Sequence, residues 1–157
     1  MALILADPVF SPDDARLPPG APRARPSSDP ASRGGGAAPD DRDWRRLPGT
    51  AREAEVISAL LSGGGGDGGG GSGGGWRREG FAASRSSLLS ADLSAYPILH
   101  IATHGKADGR QPERSRLVLS LFDPQGRPIE GALRLQDIYN LRLAADLVVL
   151  SACQSGL

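Results

Sequence analysis

The chain of 157 residues holds one cysteine, Cys153, and two histidines, His100 and His104. A thiol attacks as its thiolate, and free cysteine is mostly protonated at neutral pH. An imidazole beside it can take the proton and hold the thiolate as an ion pair. That arrangement needs closeness in space and not in sequence. Cys153 lies in residues 146–156, DLVVLSACQSG, where an apolar run leads into small residues. His104 closes residues 98–105, ILHIATHG, which have the same form. If both runs are strands of one parallel sheet, the two side chains fall at one edge of it, where open α/β sheets place their ligands. Gly105, Ser155 and Gly156 would let a substrate backbone come close, and the amides of Gly105 and Cys153 could donate to a developing oxyanion. A plainer reading stays open, in which Cys153 is a small buried apolar residue and His104 a loop histidine.

The other polar residues near these motifs sort by geometry. His100 lies four residues before His104. Side chains share a face of a strand at period two, so His100 reads as a core histidine with one hydrogen bond, buttressing His104. A His-x3-His metal pair lacks an obvious third ligand, so no metal and no cofactor is expected. Ser151, Gln154 and Gly156, which flank Cys153, are supporting candidates. Asp146 sits at the wrong end of the last strand to orient His104, and Asp137 reads as a solvated helix residue. Arg110, Arg114 and Arg116 read as solvent-facing loop residues, with a substrate or partner contact as the sharper alternative.

These residues need a sheet to position them, and the sequence supplies its strands. Residues 2–6, ALILA, read as a buried strand closed by Asp7-Pro8. Thr50 and Glu53 match a capping box before an apolar face of Ala54, Ile57 and Leu61 with Val56 and Leu60, so a helix is expected over about 51–61. A second helix is expected over 84–93, with Ser84 as cap and Leu88, Leu89 and Leu93 inward. Strands follow at 98–103 and 117–122. Asp123-Pro-Gln-Gly126 has type I turn chemistry, so residues 129–133 can pair back as a hairpin. A short helix carries Leu135, Ile138 and Leu141, and the last strand is 147–150, with SACQSG as the turn leaving it. Apolar runs separated by helical patterns imply an α/β fold with a mostly parallel sheet and helices on its faces.

Composition bounds the rest. Lys plus Arg and Asp plus Glu are 18 each, which argues against a nucleic-acid binder. No stretch has the ~18 apolar residues of a spanning helix, so no membrane partner is expected. A lone cysteine and no secretory signal fit a cytoplasmic, reducing compartment. Residues 11–43 hold seven of the 13 prolines and read as a disordered insert. Residues 63–75 hold 11 of the 22 glycines and read as a flexible insert without the Gly-Lys-Ser/Thr ending of a phosphate loop.

The separation of His104 and Cys153, 49 residues, is close to the ~50 of the caspase pattern. At LADPVF near the start, LPGTAREAE at 47–55, ILHIATHG at 98–105, the LVLSLFDPQGRP hairpin and LRLQDIYNLRLAADLVVLSACQSG at 133–156, the chain resembles the CHAT domain, a caspase-like module often found behind tetratricopeptide repeats in bacteria. The resemblance spans nearly the whole chain apart from the two inserts. It implies a caspase–hemoglobinase-like three-layer sandwich and a cysteine endopeptidase with His104 as general base and Cys153 as nucleophile, acting on a protein or peptide. Regulation would come from a fused or partner tetratricopeptide or sensor region. Metacaspases, which are similar, place an Asp two residues before the cysteine to hold a basic P1 side chain, the residue before the cut bond. That position is Ser151 here, so the resemblance carries over no P1 preference. A complete domain of this type continues past the cysteine with another helix and further strands, so residues 1–157 are expected to be a partial CHAT domain, doubtful as a protease alone. The competing expectation is a non-catalytic interaction module or an inactive fragment.

Overall fold

The computed structural model describes residues 2–21, 44–61 and 76–153, with the backbone alone at Cys153. Residues 22–43 of the insert expected at 11–43, and all of the insert expected at 63–75, lie outside the described residues, as do Gln154, Ser155 and Gly156.

A six-stranded mixed sheet forms the centre. Strand β1 (Ala2–Pro8) pairs in parallel with β2 (Arg77–Gly80) on one side and β3 (Ile98–Lys106) on the other. Strand β6 (Leu147–Cys153) also runs parallel to β3. Strand β4 (Arg116–Val118) pairs antiparallel with the last residues of β3, and β5 (Ala132–Arg134) with β4. His104 is the register partner of both Val118 and Cys153. One residue has one partner per edge, so β4 and β6 flank β3 from opposite sides.

Helix α1 (Pro48–Leu61) covers one face, packing over Ala2, Ile4, Ala6 and Ala102 through Ala54 and Ile57. The opposite face carries the larger core, where Leu3, Leu5, Leu99 and Ile101 meet Leu88, Leu93, Leu119 and Leu133. Burying a leucine side chain contributes about 1.5–3 kcal/mol, so this second face holds the sheet together. Leu88 and Leu93 come from helix α2 (Arg85–Leu89) and the 3-10 turn Leu93–Ala95.

Several sequence expectations change here. The helix over 84–93 divides into α2 and the 3-10 turn. Its cap is Ser84 as expected, with Oγ accepting from the Ser87 amide at 3.1 Å, but Leu89 is exposed. Helix α1 starts three residues early, because Pro48 fits the first turn, where no amide is needed. Thr50 is then inside the helix and not its cap: its Oγ1 donates to the Leu47 carbonyl and accepts from the Asp7 amide. Glu53 is released from capping and turns to the sheet. Val56, Leu60 and Leu61 are exposed, so the inner face of α1 is Ala54, Ile57 and Ser58. Residues 151–153 continue the last strand instead of turning away. Strand β2, RREG, has no apolar pattern and was not expected. Residues 11–21, the start of the proline-rich stretch, form successive turns held by the Arg16 guanidinium on Asp7 and Asp14.

The hairpin forms. The Gly126 amide donates to the Asp123 carbonyl at 2.9 Å, and Phe122 bridges Pro128. Helix α3 (Leu135–Tyr139) follows β5. Its Asp137 is not a solvated residue: it accepts from Arg85 Nε at 3.0 Å and Nη2 at 2.5 Å, tying α3 to α2. That guanidinium holds the Asp137 carboxyl below its ordinary range. The outer edge of β6 has no strand partner among the described residues, and Leu147, Val148 and Leu150 are exposed.

Candidate active site

The parallel register of β3 and β6 brings the two motifs together. Ile98 pairs Leu147, His100 pairs Val149, Ala102 pairs Ser151 and His104 pairs Cys153. The 48 intervening residues thus return the chain to put position 153 beside His104 at the C-terminal edge of two parallel strands. Gly105 makes the approach possible. A Cβ there would meet Ala152 Cβ at 3.2 Å and Leu117 Cδ2 at 3.3 Å, so the room it frees is taken by the neighbouring strands.

His104 is half-buried and held on several sides. Its ring lies 4.9 Å from Phe10 and 5.0 Å from Trp44, both tilted, within the range of favourable aromatic pairs. Its Nε2 is 2.7 Å from the Arg45 carbonyl oxygen. A carbonyl only accepts, so Nε2 carries the hydrogen and Nδ1 of the neutral ring is left as the proton acceptor. The residue before it, Thr103, is fully buried and its hydroxyl donates to the Val118 carbonyl. The His104 ring is therefore oriented by a backbone oxygen from the segment entering α1. Neither Asp137 nor Asp146 orients it; Asp146 lies at the far end, where its amide donates to the Pro97 carbonyl.

That entering segment is fixed by Asp7. Asp7 is 4% exposed and has φ of 45°, a left-handed conformation uncommon outside glycine. Arg46 chelates its carboxylate, Nε to Oδ1 at 2.9 Å and Nη2 to Oδ2 at 2.6 Å, while Arg16 Nη1 adds a contact at 2.9 Å. Forked guanidinium–carboxylate pairs fix direction as well as distance. The surroundings over-determine the strained backbone and so lock Trp44 to Leu47 against the sheet edge.

His100 is buried at 4% exposure on the α1 face. Its Nε2 comes within 3.1 Å of Glu53 Oε1, at ion-pair distance but off the direction of a hydrogen bond, and has no hydrogen-bond partner among the described residues, so the hydrogen bond expected of His100 is not made at this nitrogen. Ser151 Oγ donates to Glu53 Oε2 at 3.2 Å. Glu53 thus joins both strands. A hollow of about 380 Å³ opens beside it, lined by Leu47, Pro48, Thr50, Thr103, Ser151 and Ala152. A larger hollow, about 490 Å³ between residues 89–94 and 140–142, lies at the N-terminal end of β3 and β6, away from His104. No group of three or more His, Cys, Asp or Glu able to hold a metal occurs among the described residues. Arg110 and Arg114 are exposed in the loop after β3, and Arg116 is half-buried in β4.

Arg45, Asp7 and Glu53 were not legible as site residues. The first acts through a backbone atom, which leaves no side-chain signal. The second read only as a strand stop, and the third as a cap.

No helix among the described residues is long and apolar enough to cross a membrane. No curated protein and no solved structure matches the chain. The family model of the CHAT domain matches residues 2–157, in keeping with the caspase-like α/β architecture, and the chain belongs to the CHAT domain family.

Proposed function

We infer that the chain encodes the catalytic dyad of a cysteine endopeptidase. The observation that carries the reading is the register pairing of Cys153 with His104, whose Nε2 is tied to the Arg45 carbonyl. Nδ1 takes the thiol proton, and the Cys153 thiolate attacks the carbonyl carbon of the scissile peptide bond. The amides of Gly105 and Cys153 serve the oxyanion that forms. The intermediate collapses to a thioester as the imidazolium gives its proton to the leaving amine. Water, deprotonated by the same imidazole, then hydrolyses the thioester and restores the thiol. Tetratricopeptide or sensor regions, fused or associated, would regulate the cut. Cys153→Ala abolishes cleavage of self or partner by the full-length protein; unchanged cleavage by that variant defeats the reading.

The exposed Leu147, Val148 and Leu150 favour a second reading, a docking module built on the same sheet. Labelling with a peptide-based cysteine electrophile separates the two: a docking module gives no His104-dependent reaction at Cys153.

A further inference from the structure

We propose that the hollow between α1 and the ends of β3 and β6 is the P1 pocket, and that Glu53 makes it select a basic side chain, arginine or lysine. This rests on the peptidase reading. The placement follows from the lining. Thr103 immediately precedes His104, and Ser151 and Ala152 immediately precede Cys153. A side chain borne on the Cα next to the carbon under attack lodges against the strand residues next to the attacking group. Leu47, Pro48 and Thr50 close the opposite wall, and the Arg45 carbonyl that orients His104 belongs to the same segment. At about 380 Å³ the space accommodates a long side chain.

The charge follows from Glu53, the one ionisable residue among those lining the hollow. It is 35% exposed, so the carboxylate is open to a ligand. It is also positioned. Ser151 Oγ donates to Oε2 at 3.2 Å and His100 Nε2 stands at 3.1 Å from Oε1. A carboxylate has about four acceptor positions, so these contacts leave acceptors for a guanidinium or ammonium group. The Arg46 guanidinium of the entering segment is engaged by Asp7. The short Ser151 side chain matters too: it braces the carboxylate from the strand and leaves the charge to come from the helix across the hollow.

Two readouts test this on the full chain. In wild type, kcat/KM is measured for coumarin amides of acetyl-Ala-Ala-Arg, acetyl-Ala-Ala-Lys and acetyl-Ala-Ala-Leu, and the Arg-to-Leu ratio is compared with that of Glu53→Gln. The basic peptides are expected to lead in wild type, and the ratio to fall by at least about tenfold in the variant, the loss of a charge-assisted pair. A wild-type preference for Leu, or a ratio unmoved in folded Glu53→Gln, overturns the assignment and leaves the peptidase reading intact. The second readout needs no chemistry. Acetyl-arginine methylamide and acetyl-leucine methylamide are titrated by chemical shift into Cys153→Ala and into Cys153→Ala/Glu53→Gln. Glu53-dependent preference for the arginine compound supports the pocket even if no peptide is cut, in which case only the peptidase reading falls. Equal binding of the two compounds to Cys153→Ala overturns the pocket. If Glu53 served only to stabilise His100, neither ratio would move.

Discussion

Strands β1 and β6 both run parallel to β3, both are apolar, and both register against the same residues: Ile98 faces Ala2 on one side and Leu147 on the other. Their fates differ. Every residue from Ala2 to Phe10 is buried, whereas Leu147, Val148 and Leu150 are 50%, 43% and 55% exposed. Strand β1 has α1 on one face, the leucine cluster on the other and β2 at its free edge. Among the described residues, strand β6 has β3 alone at its side. An apolar run therefore specifies a strand, while burial is specified by what the rest of the chain lays over it. The proposed dyad is split across this difference. His104 belongs to the heavily packed side, clamped by Phe10, Trp44 and the Arg45 carbonyl, and Cys153 rides on the lightly covered strand.

The largest expected effect comes from the packed side. Leu5→Ala removes a fully buried side chain from the main cluster and costs about 2–5 kcal/mol, read as a drop in the urea midpoint. Next is Asp7→Asn, which leaves Arg16 and Arg46 without their shared carboxylate. Because Arg46 is half exposed, the cost is about 2–3 kcal/mol, below that of a fully buried pair. The same variant frees the segment carrying the Arg45 carbonyl, and on the proposed reading it should lower kcat/KM for peptide cleavage at 25 °C, where the chain is still folded.

Smaller is the Arg85–Asp137 tie. The Asp137 carboxyl is held below its ordinary 3.8 by the Arg85 guanidinium. A carboxyl with a lowered pKa in the folded state contributes stability that is full above the unfolded value and is lost as pH falls through the folded one. Asp137→Asn is expected to cost about 1 kcal/mol at pH 7 and to flatten the decline in stability below about pH 4, measured by urea unfolding across pH. Smallest is Leu150→Ala in β6, under about 1 kcal/mol because the side chain is already half in water. A cost equal to that of Leu5→Ala would erase the contrast between the two strands.

Much of this was legible in the sequence, for reasons particular to each part. The strands at 2–6, 98–103 and 147–150 are apolar runs bounded by polar or turn residues, and a run of that kind has few other uses. The hairpin at Asp123–Gly126 and the Ser84 cap rest on local chemistry that the fold left alone. His104 and Cys153 were visible because each closes such a run, and the parallel register of β3 and β6 sets the two positions side by side. Strand β2 was not legible: Arg77 to Glu79 are strand only because the edge of β1 offers them partners. Glu53 satisfied a capping-box pattern that Pro48 pre-empted by starting the helix earlier. Its contacts with His100 and Ser151 join positions 47 and 98 residues away in sequence, which no local pattern encodes.

On the proposed reading, His104 activates Cys153. Because Cys153 is the only cysteine, alkylation by iodoacetamide reports on it alone, followed by intact mass. The pH dependence of the rate should show a half-point well below the ~8.5 of a free thiol, returning to about that value in His104→Ala. Identical profiles for wild type and His104→Ala, both centred near ~8.5, would contradict the account.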